Sequence, residues 1–437
     1  MNVRRDVVAA FGIIVRKCRK DHYYGGSYSF LVARILYCGD IGAQTGFGRV
    51  AEELIPRLTD KHEIYGLAVN WHGDPSPMQQ YCRMYPAHAG GPDPFGSHRI
   101  ADLAAAIKPD LVWMTNDLWC LPPLLSALKP VREQVPMKVY GYVPIDSYGI
   151  FPEFMPHLDG LDGLGTYTQF GKEEIVKAGY SGIIDVIPHG VDRSKFFPLD
   201  RNEARQAMGI GKDAFVVFNG NRNQPRKRID ITIKGFIRFA KNRPNARLWL
   251  HMGTKDQGWD TIPLFNRVAR DYGYDPAGRL ILTNHNFSVN NCLSIADLNR
   301  AYNAADIGVN TCIAEGWGLV NFEQAATGVA QLVPDHTSLK EIFYGVKRID
   351  CLEAETDRGY GLERPIPSAV SMAERLAEYY ENPQALQDAG EWCFSRATDP
   401  AYDWNTIVKQ MTGIIDRCLN EQPTPIFKGF GTPVRLG

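Results

Sequence analysis

Short apolar runs alternate along this chain with stretches of helical spacing, and the alternation happens twice. In the first series the runs at 31–38, 63–70, 111–115, 138–143, 166–168 and 183–187 read as strands, two of them ended by Pro144 and Pro188. Helical spacing occurs at 46–58, 97–107 and 169–178, the last with Thr168 placed as its N-cap. Residues 193–212 are polar, rich in Arg and Asp, and read as an interdomain connection. The second series predicts strands at 215–219, 246–252, 280–283 and 307–310. It predicts helices at 230–241, near 261–272, at 294–303 and from about 321. Two runs of strand–helix alternation imply an α/β chain with two doubly wound parallel-sheet domains.

A length of 437 residues exceeds what one core usually supports, which agrees with two domains. The expected division is an extension at 1–30, a first domain at 31–195, a second at 196–398, and a final helix with tail at 399–437. A net charge of −1 leaves no global field for nucleic acid or an anionic membrane. Nine cysteines, odd in number and without C-x-x-C spacing, give neither a disulfide framework nor a zinc site. A reducing, cytoplasmic setting follows as the expectation. Residues 1–20 place Arg4-Arg5 before an apolar run too short to span a bilayer, and Arg16, Lys17, Arg19 and Lys20 after it. They read as an ordinary extension or as a basic amphipathic segment touching a membrane surface.

The chemistry collects where the predicted strands end. Glu315-Gly-Trp-Gly-Leu-Val-Asn-Phe-Glu323 sets two carboxylates eight residues apart around a glycine turn that leads into a helix. A helix start offers unpaired N–H groups to an anion. A solvated strand–turn–helix has the same local pattern, so the surrounding chain decides. Asn219-Gly-Asn-Arg222-Asn-Gln-Pro-Arg226-Lys227-Arg228 puts four cations at another strand exit, suited to a diphosphate. After the first strand, Gly42, Gly46 and Gly48 let the backbone approach a ligand. Their spacing is neither the dinucleotide fingerprint nor a Walker loop. His189 and Asp146 follow two further strands. No D-x-D sequence or histidine cluster points to a metal.

Together these segments resemble the GT-B glycosyltransferases, specifically the retaining "glycosyl transferases group 1" family, over roughly residues 31–420. Glu315 and Glu323 match its E-x7-E signature. Arg222 and Lys227 match its spaced Arg and Lys, Ile187–Asp192 its I-P-N-G-V-D segment, and Gly46-Phe-Gly48 its glycine loop. Asp403-Trp404 is similar to the start of the tail that crosses back onto the first domain. Four positions depart from the pattern: Arg228 stands where Gly is usual, Asn321 and Gln324 where small residues are common, and Ile145, before Asp146, where the family has the His of a His-Asp pair.

The resemblance implies a nucleotide sugar, UDP- or GDP-linked, as co-substrate, with no metal and no other cofactor. Arg222 and Lys227 would hold the diphosphate with the backbone N–H groups of Gly318, Leu319 and Val320, Glu323 the ribose and Glu315 the sugar. Asp146 would count with Glu315, Arg222 and Lys227 among the catalytic residues, and Gly46, Gly48, His189 and Asn219 would line the donor. The acceptor stays open among glycan, lipid, protein and nucleobase. Its contacts are expected from the loop 71–96, where Trp71, Tyr81 and Tyr85 are available either for stacking on a sugar or for plain packing. Two alternatives stand beside transfer: an epimerase or hydrolase of nucleotide sugars on the same fold, and a non-catalytic binding subunit.

Overall fold

The computed structural model describes residues 32–88, 90, 93–283 and 293–420. The 1–30 extension and most of the C-terminal tail lie outside them. The first sheet is formed by β1 (Arg34–Asp40), β2 (Glu63–Val69), β3 (Arg83–Pro86), β4 (Leu111–Thr115), β5 (Lys138–Val143), β6 (Gly163–Thr166) and β7 (Ile184–Val186). Its helices are α1 (Gly46–Leu58), α2 (Ser97–Ile107), α3 (Leu121–Arg132) and α4 (Gln169–Lys177). The strand order is β3-β2-β1-β4-β5-β6-β7, and every pairing is parallel.

Next come α5 (Arg201–Ala207), β8 (Phe215–Asn219), α6 (Ile229–Ala240), β9 (Ala246–Leu250), α7 (Thr261–Asp271), β10 (Leu280–Leu282) and α8 (Ile295–Ala304). They are followed by β11 (Ile307–Val309), α9 (Leu319–Ala325), β12 (Ala330–Pro334), α10 (Thr337–Ile342) and β13 (Arg348–Ile349). The second sheet runs β10-β9-β8-β11-β12-β13, again parallel. A hairpin, β14 (Cys351–Thr356) and β15 (Glu363–Pro367), stands apart from both sheets. The chain closes with α11 (Ala369–Glu381), α12 (Pro383–Ala397) and α13 (Trp404–Asn420).

The predicted bounds of α1, α2, β4, β5 and β8 coincide with the observed ones, because each is a clean apolar pattern between breakers. Thr168 caps α4 as expected, its side chain accepting from Gly171 N–H at 3.1 Å. The stretch read as an interdomain connection contains α5. Its Arg205 is buried, donating to Asp306 at 2.6 Å and to the Ala304 carbonyl at 3.0 Å. The stretch touches both domains, Lys195 pairing with Glu53 and Leu199 N–H donating to Asn303 at 2.7 Å, so its polar residues pack as well as connect. Helix α13 returns to the first domain: Gln410 donates to the Val186 carbonyl at 2.8 Å, and Arg417 pairs with Asp185.

Each sheet reverses its strand order once, between β1 and β4 and between β8 and β11. A crevice opens beyond the carboxyl ends of the strands at such a reversal. The two crevices face each other.

Candidate functional site

At the β8–β11 reversal two loops are tied together. Ile313 N–H donates to the Arg226 carbonyl at 2.9 Å, and Thr311 Oγ1 donates to the carbonyls of Lys227 (3.1 Å) and Arg228 (3.0 Å). Arg226 in turn donates to the Ala314 carbonyl at 2.8 Å. The result is a buried ion pair between Lys227 Nζ and Glu315 Oε2. Burial pushes the Glu315 carboxyl up, but Lys227 and Arg226 together bring it below the usual range, so it is ionised. The carbonyl of Glu315 is held by Ser338 Oγ, and His336 Nε2 lies 2.8 Å from the Cys312 carbonyl. The loop is therefore fixed from both sides.

Arg222 was expected beside Lys227 and is not there. Its guanidinium turns outward and forks onto Asp256 at 2.7 and 3.2 Å. Arg226 stands over Glu315 instead, with the carboxylates Asp146 and Asp117 of the first domain near enough to favour its charge. In the sequence Arg226 is one of four neighbouring cations. The rigid turn Pro225–Lys227 decides which of them points inward.

Helix α9 starts at Leu319, two residues before the expected position. Gly318 has φ +90°, and no side chain caps the helix. The N–H groups of Leu319 and Val320 thus face the crevice end of the second domain. Gly316 is glycine because the first domain touches it: a Cβ there would lie 2.5 Å from Cβ of Pro144. Glu323 is buried one turn into α9. It accepts from Tyr302 Oη at 3.2 Å and lies 3.7 Å from Arg49 Nε, which reaches across from α1. Burial raises the Glu323 carboxyl despite that cation.

The departures have physical reasons. Arg228 has φ +48°, a conformation that glycine adopts most easily, and is held there by its fork onto Asp230 at 3.0 and 3.2 Å. Asn321 bridges Asn310 (2.9 Å) and Gln331 (2.8 Å), and Gln324 donates to the Tyr302 carbonyl at 3.3 Å. These side chains tie α9 to its neighbours through a buried polar ladder.

On the first domain, Thr45 caps α1 by accepting from Gly48 N–H at 3.0 Å and donates to Asp40. A Cβ at Gly48 would strike the Ala43 carbonyl at 1.9 Å, so that glycine serves the turn itself. Gly46 is different. A Cβ there would meet only Leu319 of the facing domain, at 4.0 Å, so its backbone borders the cleft. Asp146 accepts from Ser147 Oγ at 2.8 Å and lies within electrostatic reach of Arg226.

Several of the expected residues have their side chains engaged or placed elsewhere. Asn219 is wholly buried, donating to Thr232 Oγ1 at 2.9 Å and accepting from Asn221, so its amide is spent inside the loop. His189 is buried among Tyr167, Tyr142, Trp317 and Trp404, with the Tyr167 ring centroid 3.9 Å away. Among the described residues neither of its ring nitrogens has a hydrogen-bond partner, and burial pushes its pKa down to about 3. It is a core residue at the domain junction. In the loop expected to bind acceptor, Trp71 is buried and donates to the Asp74 carbonyl at 2.8 Å. Tyr81 lies with His62 and Glu63 at the opposite edge of the sheet.

Asp117, missed in the sequence, follows β4 at the first reversal. Burial and the negative charge of Asp146 raise its pKa to about 6. Its place at a strand exit was the available signal. Among the described residues, no group of three or more His, Cys, Asp or Glu is gathered as a metal-ligand set, and no helix is long and apolar enough to cross a membrane. The segment read as a membrane contact, 1–20, is outside the described residues.

No protein-family model matches the chain. A D-inositol 3-phosphate glycosyltransferase of Geodermatophilus obscurus is 29% identical over 147 residues, 33% of this chain and 31% of that protein. Across such curated relatives the chain spans between 31% and 50% of their length. Sucrose-phosphate synthase from Thermosynechococcus elongatus superposes with a TM-score of 0.67 at 14% identity, over 88% of this chain and 98% of that one. Anabaena HepE in complex with UDP-glucose superposes with a TM-score of 0.64 at 17% identity, over 88% and 99%. Two parallel-sheet domains facing across a cleft, shared over nearly the whole chain with such enzymes, are the GT-B fold. In sequence the chain is similar to glycosyltransferases.

Proposed function

We propose that the chain is a retaining glycosyltransferase that moves a hexose from a UDP- or GDP-sugar to an acceptor hydroxyl without a metal ion. One observation carries the reading. Glu315 and Glu323 flank the uncapped start of α9, the first paired with Lys227 beneath Arg226, the second with Tyr302 and Arg49. That spacing suits a ligand with sugar hydroxyls at one end, ribose hydroxyls at the other and two phosphates between.

In this reading Lys227 and Arg226 neutralise the diphosphate as the anomeric C–O bond breaks, helped by the N–H groups of Leu319 and Val320. Arg222 joins them only by leaving Asp256. Glu315 accepts from sugar hydroxyls and Glu323 from the ribose. The acceptor oxygen attacks from the face the leaving group departs, and its proton passes to the departing phosphate oxygen. No strong protein base is needed. Cations fixed in a closed, water-poor cleft supply most of the rate.

The test is a thermal-shift panel of UDP-, GDP- and ADP-sugars, followed by NMR of the anomeric configuration of any product, with and without EDTA. Stabilisation by one donor class, a retained configuration and indifference to EDTA are expected. Failure of every nucleotide sugar to stabilise the protein would overturn the reading.

A further inference from the structure

Trp119 and Tyr360 are large aromatic side chains left exposed at the cleft, and the donor site does not use them. Trp119 follows β4, two residues after Asp117, and packs edge-on against Phe95 at 5.2 Å. Tyr360 comes from the other domain, at the tip of the β14–β15 hairpin. The two rings lie nearly parallel, 24° apart with centroids at 6.3 Å.

The hairpin is fastened across the domain boundary. Tyr148 and Glu363 exchange a pair of backbone hydrogen bonds, each 3.0 Å, as in a short antiparallel ladder. Arg364 donates to Ser147 Oγ at 3.3 Å, and Gly361 packs so closely on Phe151 that a Cβ would lie 2.4 Å from its ring. The tip is tied by contacts of its own. Asp357 accepts from the N–H groups of Gly359 (2.9 Å) and Tyr360 (2.7 Å), and pairs with Arg364 at 3.0 Å. Tyr360 is thus held over Trp119 by a fixed turn.

We propose that the β14–β15 hairpin completes the acceptor site, with Trp119 and Tyr360 forming a two-domain platform for the apolar face of an acceptor sugar ring. This rests on the glycosyltransferase reading. The C–H face of a pyranose matches an exposed aromatic surface, while its rim of hydroxyls needs polar partners. Asp117 and Asp146 supply acceptors on the side toward Arg226 and Glu315. Among the described residues no side chain hydrogen-bonds the Asp117 carboxyl, and with a pKa raised to about 6 it is chiefly an acceptor near neutrality. A carbohydrate is favoured over a lipid tail or a bare phosphate because the platform is small, aromatic and bordered by carboxyls.

The experiment is saturation-transfer NMR on the full chain with UDP or GDP, whichever stabilises it, and a panel of methyl hexopyranosides and disaccharides. The expected result is transfer to sugar C–H protons in the parent protein, reduced at least fivefold in Trp119→Ala and Tyr360→Ala. Trp119→Phe retains it, and nucleotide signals stay constant throughout. Equal sugar signals in all variants, or none in the parent while the nucleotide binds, overturn the platform. A parent protein that binds neither UDP nor GDP overturns the donor reading, and this proposal with it.

Discussion

Arg49 Nε lies 3.7 Å from Glu323 Oε1, joining the glycine turn of one domain to the second carboxylate of the other. The pair closes the cleft at the place where a ribose would bind. In the proposed donor pose a ribose diol would replace Arg49 as partner of a buried carboxylate that already has Tyr302. Hydrogen bonds to a charged acceptor contribute about 1.5–3 kcal/mol. Glu323→Gln is expected to weaken UDP or GDP binding roughly ten- to a hundredfold by titration calorimetry. Unchanged affinity would remove Glu323 from the donor site.

Lys227 and Glu315 form a pair whose side chains are both nearly inaccessible. Truncating one partner leaves the other buried and uncompensated, which costs about 3–5 kcal/mol. Lys227→Ala should thus lose stability as well as transfer, and its inactivity alone would prove nothing about chemistry. Lys227→Met combined with Glu315→Gln keeps the volume and removes both charges. Urea unfolding of that double variant is expected near the parent, with sugar transfer lost by orders of magnitude. A folded, fully active double variant would contradict the roles assigned here.

Most of this fold was legible wherever a strand is a short apolar run and a helix has one apolar face. Strand β3 has four residues and ends in proline, while α3 carries prolines at 122, 123 and 130, so both lacked a period to read. The region after 327 mixes short elements with the hairpin, whose strands are mostly exposed and polar. Glu315, Lys227 and Glu323 were legible because a motif spacing survives folding. Arg226 in place of Arg222 was not, since adjacent cations look alike until a turn selects one. Trp119 and Tyr360 sit 241 positions apart, and only the hairpin's crossing brings them together.

His189 gives a pH prediction whose sign follows from burial. Its pKa falls to about 3 in the folded protein from an ordinary 6.5, so between those values the unfolded chain holds more protons. Stability is present above the ordinary value and is lost as the pH falls below it. Between pH 7 and 5 this group alone removes about 2 kcal/mol. His189→Leu, which also deletes two unpartnered nitrogens, is expected to flatten the urea-unfolding profile by that amount. An identical pH dependence in both proteins would mean that the imidazole has a partner in solution.

Glu341 of α10 caps a helix of the other domain. Its two carboxylate oxygens accept from Gln169 N–H at 2.9 Å and Phe170 N–H at 2.7 Å, the open start of α4. Tyr148 adds to the same closure by accepting from Thr337 N–H at 3.2 Å. In a form with the domains apart these N–H groups would turn to water, so the cap would favour the closed form alone. A cap of this kind is worth about 1 kcal/mol, roughly a fivefold change in the closed-to-open ratio. Glu341→Ala should raise the radius of gyration in small-angle scattering without nucleotide, and saturating UDP or GDP should restore it. If the parent and variant scatter alike in both conditions, closure is governed by the hairpin and the Arg49–Glu323 contact, and the cap is incidental.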